Sequence, residues 1–138
     1  MTYVSETLRR LVAERAHHRC EYCKLPENDS YASFQIDHII ATKHGGKTTE
    51  ANLCLSCANC NGHKGSDLAS LDPRTEKITL LFNPRTDQWT NHFKMNGAYI
   101  EGLTSEGRAT ARLLQFNARI RLRVRELLLA SGQWDAIE

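Results

Sequence analysis

Apolar positions along the chain fall into a few short patterned segments separated by polar, turn-forming stretches. From Glu6 to Ala16, Leu8, Leu11 and Val12 recur at helical spacing with Ser5 or Thr7 placed to cap them, which predicts a short amphipathic helix running into Cys20. Lys24-Leu25-Pro26-Glu27-Asn28-Asp29-Ser30 reads as a loop. From Ser33 to Ile40 apolar and polar side chains alternate before an apolar pair, the signature of a strand, which Lys43-His44-Gly45-Gly46-Lys47 then breaks. A second short strand is expected around Leu53-Cys54-Leu55, and a helix that starts near Asn59 to Asn61 and ends by Gly65.

Beyond Pro73, the stretch Lys77 to Phe82 is a further strand candidate, followed by an Asn83-Pro84 turn and weaker β signals at Gln88 to Phe93 and Ala98 to Glu101, together a small meander. Thr104 or Ser105 can cap a long C-terminal helix in which Leu113, Phe116, Ile120, Val124 and Leu127 follow one face up to Gly132. The pattern is that of an α+β protein without internal repeats.

Length and charge narrow the picture. The 138 residues, 25% charged and 41% hydrophobic, support one modest core and are too few for an α/β barrel. A formal charge of +2, from 18 Lys/Arg against 16 Asp/Glu, excludes holding nucleic acid by bulk charge alone, so any such partner must be met by local patches. No apolar run approaches the roughly 18 residues of a membrane span. The start, Met1-Thr2-Tyr3-Val4-Ser5-Glu6, has neither a basic nor an apolar leader region, so a soluble, cytoplasmic protein without a membrane partner is expected.

Five cysteines in such a chain point to metal ligation before disulfides. Cys20-Glu21-Tyr22-Cys23 and Cys57-Ala58-Asn59-Cys60 are two CxxC knuckles with 33 residues between them. Two knuckles complete a tetrahedral four-thiolate zinc site, and four thiolates leave no position open for water, so this zinc is expected to be structural. Cys54-Leu55-Ser56-Cys57 is also a CxxC; the reading favours Cys57 with Cys60 and takes Cys54 as a small buried strand residue.

Between and after the knuckles stand Asp37-His38-Ile39, Gly45-Gly46, Asn52-Leu53 and Cys57-x-x-Cys60-Asn61-x-x-Lys64. In this order they resemble the HNH endonuclease motif in its four-cysteine, ββα-metal (His-Me finger) form, over about Cys20 to Lys64. The resemblance implies His38 as general base, Asp37 and Asn61 as ligands of a catalytic divalent ion, and Asn52 as the residue that orients His38 across the hairpin loop. Asn61 stands where the motif's third letter is often histidine.

The residue chemistry agrees. Phosphodiester hydrolysis needs a nucleophilic water, stabilisation of charge on the phosphate and help for the departing 3′ oxygen. An imidazole is ready to take a proton near neutral pH, and a side-chain amide can fix its tautomer. Asp37 and Asn61 offer the oxygen donors that Mg²⁺ or Mn²⁺ prefer. Adjacent strand residues point to opposite faces, so Asp37 and His38 can serve one site only where the strand twists or ends. Lys64, one turn after Asn61, is either a phosphate contact or a solvated helix lysine; His63 is either a third ligand or phosphate contact, or an exposed histidine.

The C-terminal helix carries Arg108, Arg112, Arg119, Arg121, Arg123 and Arg125 against Glu106 and Glu126, a basic excess that can lie along a DNA backbone while the apolar face packs on the meander. Leu81 to Arg85, Trp89, His92-Phe93 and Gly102-Leu103-Thr104 are similar to extensions of some stand-alone bacterial and phage HNH proteins. The expected organisation is a nuclease core over residues 1–70, with its zinc site, and an α+β extension over 71–138 packed on it as one unit. The expected activity is metal-dependent cleavage of DNA. One such site cuts one strand, and double-strand cleavage takes a homodimer, a second visit or a partner protein. The rival expectations are a non-catalytic zinc module that binds DNA or protein, and a nuclease directed at RNA or at branched structures.

Overall fold

The computed structural model describes residues 3–27 and 34–137. Asn28 to Ser30 of the anticipated loop and Ser33 of the anticipated first strand lie outside these. The chain forms two compact units, one of Met1–Asp67 with Asn83–Thr86, the other of Leu68–Phe82 with Asp87–Glu138. Among the described residues the strands make three separate two-stranded antiparallel sheets. The α+β class is as expected, and no helix among the described residues is long and apolar enough to cross a membrane.

In the first unit, α1 (Glu6–Arg15) is capped by Ser5, whose hydroxyl accepts from the Leu8 amide at 3.2 Å, and it buries Val12. β1 (Gln35–His38) pairs with β2 (Leu53–Ser56) so that Asp37 lies opposite Cys54 and His38 opposite Leu53. Every residue of β2 is buried, because α1 packs on it while β1 covers its edge. α2 (Ala58–Lys64) follows directly, and Cys57 is its N-cap. This is the expected order of strand, loop, strand and helix, with α2 laid against β1.

The second unit holds two hairpins and three helices. β3 (Ala69–Leu71) pairs with β4 (Ile78–Leu80), and β5 (Phe93–Asn96) pairs with β6 (Tyr99–Gly102) through a two-residue turn in which Gly97 takes φ +60°. Among the described residues no meander forms: the chain leaves the unit at residues 83–86 between β4 and β5, and the anticipated strand at Gln88 to Phe93 is instead the helical turn α3 (Trp89–His92) entering β5. Trp89, Phe82 and Phe116 surround Phe93 at ring-centroid separations of 5.1, 5.3 and 5.5 Å, the aromatic centre of this core.

The long C-terminal helix is two helices, α4 (Ser105–Leu113), capped by Thr104, and α5 (Arg119–Ala130). Gln115 at φ +53° ends α4, and the Phe116 amide closes back on the Ala111 carbonyl at 3.0 Å. Asn117 then pairs with both backbone groups of Ile100, at 2.9 and 2.8 Å, which draws the chain out of the helix. The break resets the helical phase. Arg121, Arg125 and Leu128 face inward, whereas Ile120, Val124 and Leu127, expected inside, face solvent.

The two buried arginines spend their donors on main-chain carbonyls, Arg121 on Leu114 and Gln115, Arg125 on Ala98 and Phe116. Arg108 is also engaged, bidentately, with Asp72 at 2.9 and 2.8 Å. Half of the basic stripe is therefore internal scaffolding; Arg112, Arg119 and Arg123 remain exposed.

Asp72 is fully buried, and the hydrogen bonds from Arg108, with those from the Arg74 amide and the Thr75 hydroxyl, hold its carboxyl well below the usual carboxylate range. The fold thus binds the ionised form. Its contribution is complete above the ordinary aspartate value near 4 and is lost as pH falls below it, because the unfolded chain takes up the proton first. The denaturation midpoint of the second unit, read from the fluorescence of buried Trp89, is expected to fall steadily below about pH 4. Asp72→Asn is expected to be less stable at neutral pH and to show a flatter acid profile.

Candidate active site and four-thiol cluster

After α1, His17 and His18 take left-handed backbone conformations and turn the chain into the first knuckle. Lys24, at φ +68°, returns its amide to the Cys20 carbonyl at 2.8 Å, and the Cys23 amide points at Cys20 Sγ at 3.5 Å. In the second knuckle the Cys60 amide points at Cys57 Sγ at 3.4 Å as α2 begins. The four ligand sulfurs of Cys20, Cys23, Cys57 and Cys60 lie within 4.8 Å of one another, all buried, and Cys23 Sγ stands 3.7 Å from Cys57 Sγ. A tetrahedron with Zn–S bonds of roughly 2.3 Å has edges of roughly 3.8 Å, so these residues fit zinc. Burial pushes the Cys20 and Cys60 thiols up, a cost that a dication bound among them offsets. Cys54 stands apart on β2, buried, with its sulfur 3.9 Å from Asp37 Oδ2.

The first knuckle is tied to β2 by Glu21. Its amide donates to the Leu55 carbonyl at 2.8 Å, its Oε2 accepts from the Leu55 amide at 2.8 Å, and its Oε1 is paired with Arg85 from the returning segment 83–86. Burial presses the Arg85 guanidinium down to about 10. Neither residue stood out in the sequence, since a glutamate inside a knuckle and an arginine after a turn resemble ordinary surface residues.

Asp37 and His38 do point to opposite sides, and β1 ends at His38. Asp37, 8% exposed, turns toward α2 and the knuckle: its Oδ2 accepts from the Tyr22 hydroxyl at 3.2 Å and meets Lys64 Nζ at 3.2 Å. Burial raises the Asp37 carboxyl, while Lys64 and Tyr22 oppose that rise. Lys64, 2% exposed, is not the solvated lysine of one expectation; its ammonium is sealed under the strand, where it also reaches the His38 carbonyl at 3.4 Å. Burial lifts the Tyr22 phenol well above its ordinary value, chiefly through desolvation, so it stays a proton donor.

His38 is half-buried, and its Nε2 lies 2.9 Å from Thr48 Oγ1. Asn52, expected to orient the imidazole, bonds elsewhere. Its Oδ1 accepts from the Ile40 amide at 2.9 Å, and its Nδ2 donates to the Ile40 and Lys47 carbonyls at 3.0 and 2.9 Å. Asn52 therefore pins both ends of the loop, and the loop presents Thr48 to the imidazole. Gly46 makes this folding possible, because a Cβ there would lie 1.7 Å from the Ile40 carbonyl oxygen. Thr48 carried no signal in the sequence, since its contact depends on how the loop closes.

Asn61, one turn before Lys64, bonds through its amide to the Gln35 side chain. Gln35 and Asp37 share a face of β1, so α2 sets Asn61 and Lys64 along the edge that carries the Asp37 carboxylate. His63 is exposed on α2, and Arg112 and Arg119 are exposed on the second unit. Asp37, His38, Asn52, Asn61 and Lys64 all lie in the first unit, which also carries the four thiols; of these five, Asp37 and Lys64 are in direct contact through their side chains. The residues at hand are a half-buried imidazole with one nitrogen anchored on Thr48 and, on the other side of β1, the buried Asp37 carboxylate.

The family model for HNH endonuclease matches residues 20–67, which hold both knuckles, β1, β2 and α2. The Septu protein PtuB of Bacillus thuringiensis is 25% identical over 127 residues, 91% of this chain and 47% of the relative, so the chain spans about half the length of the curated relative it matches. No solved structure matches. The HNH resemblance of the Cys20 to Lys64 segment is borne out, and the segment carries a nuclease-type motif.

Proposed function

We propose that this chain is a metal-dependent DNA endonuclease of the HNH type. The observation that carries the reading is the half-buried His38 at the end of β1, with Nε2 anchored on Thr48 and a buried carboxylate one residue before it, inside the segment that matches the family.

Asp37 and Asn61 are the residues that would hold Mg²⁺ or Mn²⁺, whose charge there stabilises the phosphate and the departing 3′ oxygen. In the tautomer in which Nε2–H donates to Thr48, the His38 ring has its lone pair on Nδ1, which would take the proton from the attacking water. Asn52 acts through the loop by holding Ile40 and Lys47. Lys64, for which a phosphate contact and a solvated helix lysine are both open from the sequence, pairs with the buried Asp37 carboxylate and opposes the rise that burial gives it. Exposed His63 on the first unit, and exposed Arg112 and Arg119 on the second, are the side chains each unit offers to the DNA backbone. The four thiols hold zinc as a brace.

Purified protein is expected to nick supercoiled plasmid with Mg²⁺ or Mn²⁺, and chelation of the added cation with zinc still bound is expected to stop it. Linear product forming together with the nicked circle would indicate a dimer, and single-stranded, branched and RNA substrates identify the preferred form. The ion pair that occupies Asp37 Oδ2 favours a second reading, a zinc module that binds DNA or protein without cutting it. Binding that survives chelation, with no nicking under any cation, would identify that module.

A further inference from the structure

Tyr22 occupies an unusual place for a buried aromatic. It sits inside the first knuckle between Cys20 and Cys23, it is fully buried, and its hydroxyl reaches out of the knuckle to Asp37 Oδ2 at 3.2 Å. The Lys64 ammonium, at 3.2 Å, and the Cys54 thiol, at 3.9 Å, address the same oxygen. Among the described residues, all the donors to this carboxylate converge on Oδ2.

We infer that Tyr22 is a positioning residue for the hard-cation site, fixing the Asp37 carboxylate that would ligate the cation and thereby linking that site to the zinc knuckle. The inference rests on the nuclease reading, in which Asp37 is a metal ligand. Carboxylates that ligate metals are aimed by the groups bonded to their other oxygen, and loss of such a partner weakens the metal by roughly tenfold to a hundredfold. Lys64 supplies charge but sits on a flexible stem. The Tyr22 ring has two side-chain torsions, and its backbone lies in a turn whose ends are both zinc ligands, so it gives the carboxylate a fixed direction. A zinc-free knuckle loses that direction.

The test uses the zinc-loaded full chain and Mn²⁺ alone, with free Mn²⁺ followed by electron paramagnetic resonance. Tyr22→Phe is expected to raise the Mn²⁺ dissociation constant about tenfold while zinc stoichiometry stays at one. Saturating Mn²⁺ is expected to restore the plasmid-nicking rate, so that the cation requirement moves and the maximal rate does not. An unchanged Mn²⁺ affinity in Tyr22→Phe with zinc retained overturns the inference and leaves the nuclease reading standing. Wild-type Mn²⁺ binding that is indifferent to Asp37→Asn overturns the cation site and this inference with it. Should Tyr22→Phe lose zinc, 3-fluorotyrosine at position 22 of the otherwise unaltered chain gives a ¹⁹F resonance that is expected to shift on adding Mg²⁺, and a resonance that does not move overturns the inference.

Discussion

Removal of zinc by a strong chelator, or replacement of Cys60 by alanine, is expected to unfold the first unit. Structural zinc contributes apparent binding free energies of about 10 to 16 kcal/mol, as large as the whole stability of a typical small domain at about 5 to 15 kcal/mol. The location of the thiols decides where this falls. Cys57 caps α2 and Cys60 lies in its first turn, while Cys20 and Cys23 enclose the turn that carries Glu21 and Tyr22 onto β2 and Asp37. A seven-residue helix has little intrinsic stability, so α2 persists only where its N-terminus is clamped. Without the cation, four buried sulfurs remain together, and burial disfavours the charged form of Cys20 and Cys60. Loss of the near-UV circular dichroism of the first unit, in step with zinc content measured by mass spectrometry, is the expected result. A native spectrum in zinc-free protein would remove the metal from the account of stability.

His38→Ala is expected to lower the nicking rate by about two to four orders of magnitude, the usual contribution of a positioned general base. The side chain is half-buried and, among the described residues, hydrogen-bonds to Thr48, so the loss of stability should be about 1 kcal/mol. Asp37, Lys64 and the four thiols do not depend on the imidazole. Zinc content and Mn²⁺ affinity should therefore match the wild type while cleavage disappears. Rates measured on supercoiled plasmid at saturating Mg²⁺, with zinc quantified on the same samples, separate a chemical defect from a folding one. Undiminished nicking in the variant would take His38 out of the mechanism.

The two sites were legible to different depths. The CxxC pairs announced the thiol cluster because both sulfurs of a knuckle lie within four residues, and the chain needs only to bring two such turns together. The ordering Asp37-His38, Gly45-Gly46, Asn52 and Asn61 likewise carried the strand–loop–strand–helix path. Partners were harder to read. Asn52 was expected on the imidazole and bonds to the loop backbone, and Thr48 takes the imidazole instead. The sequence leaves Lys64 between a phosphate contact and a solvated helix lysine, because an isolated lysine one turn after a knuckle gives no sign that a carboxylate waits beneath the strand. In the second unit, the spacing from Leu113 to Leu127 matched one continuous helix. A left-handed Gln115 and an Asn117 docked on β6 divided it and turned its arginines inward.

From the chain alone follow the α+β class, the four-thiol cluster and the succession of elements around His38, since each is written in spacings of a few residues that local geometry reads directly. Tertiary structure alone decided which charges are buried and with whom: Lys64 with Asp37, Arg108 with Asp72, Arg121 and Arg125 with carbonyls at the end of α4. A buried charge is tolerated only opposite a partner that compensates its lost hydration. That partner comes from a distant part of the chain, so the pairing exists only once packing has placed both groups.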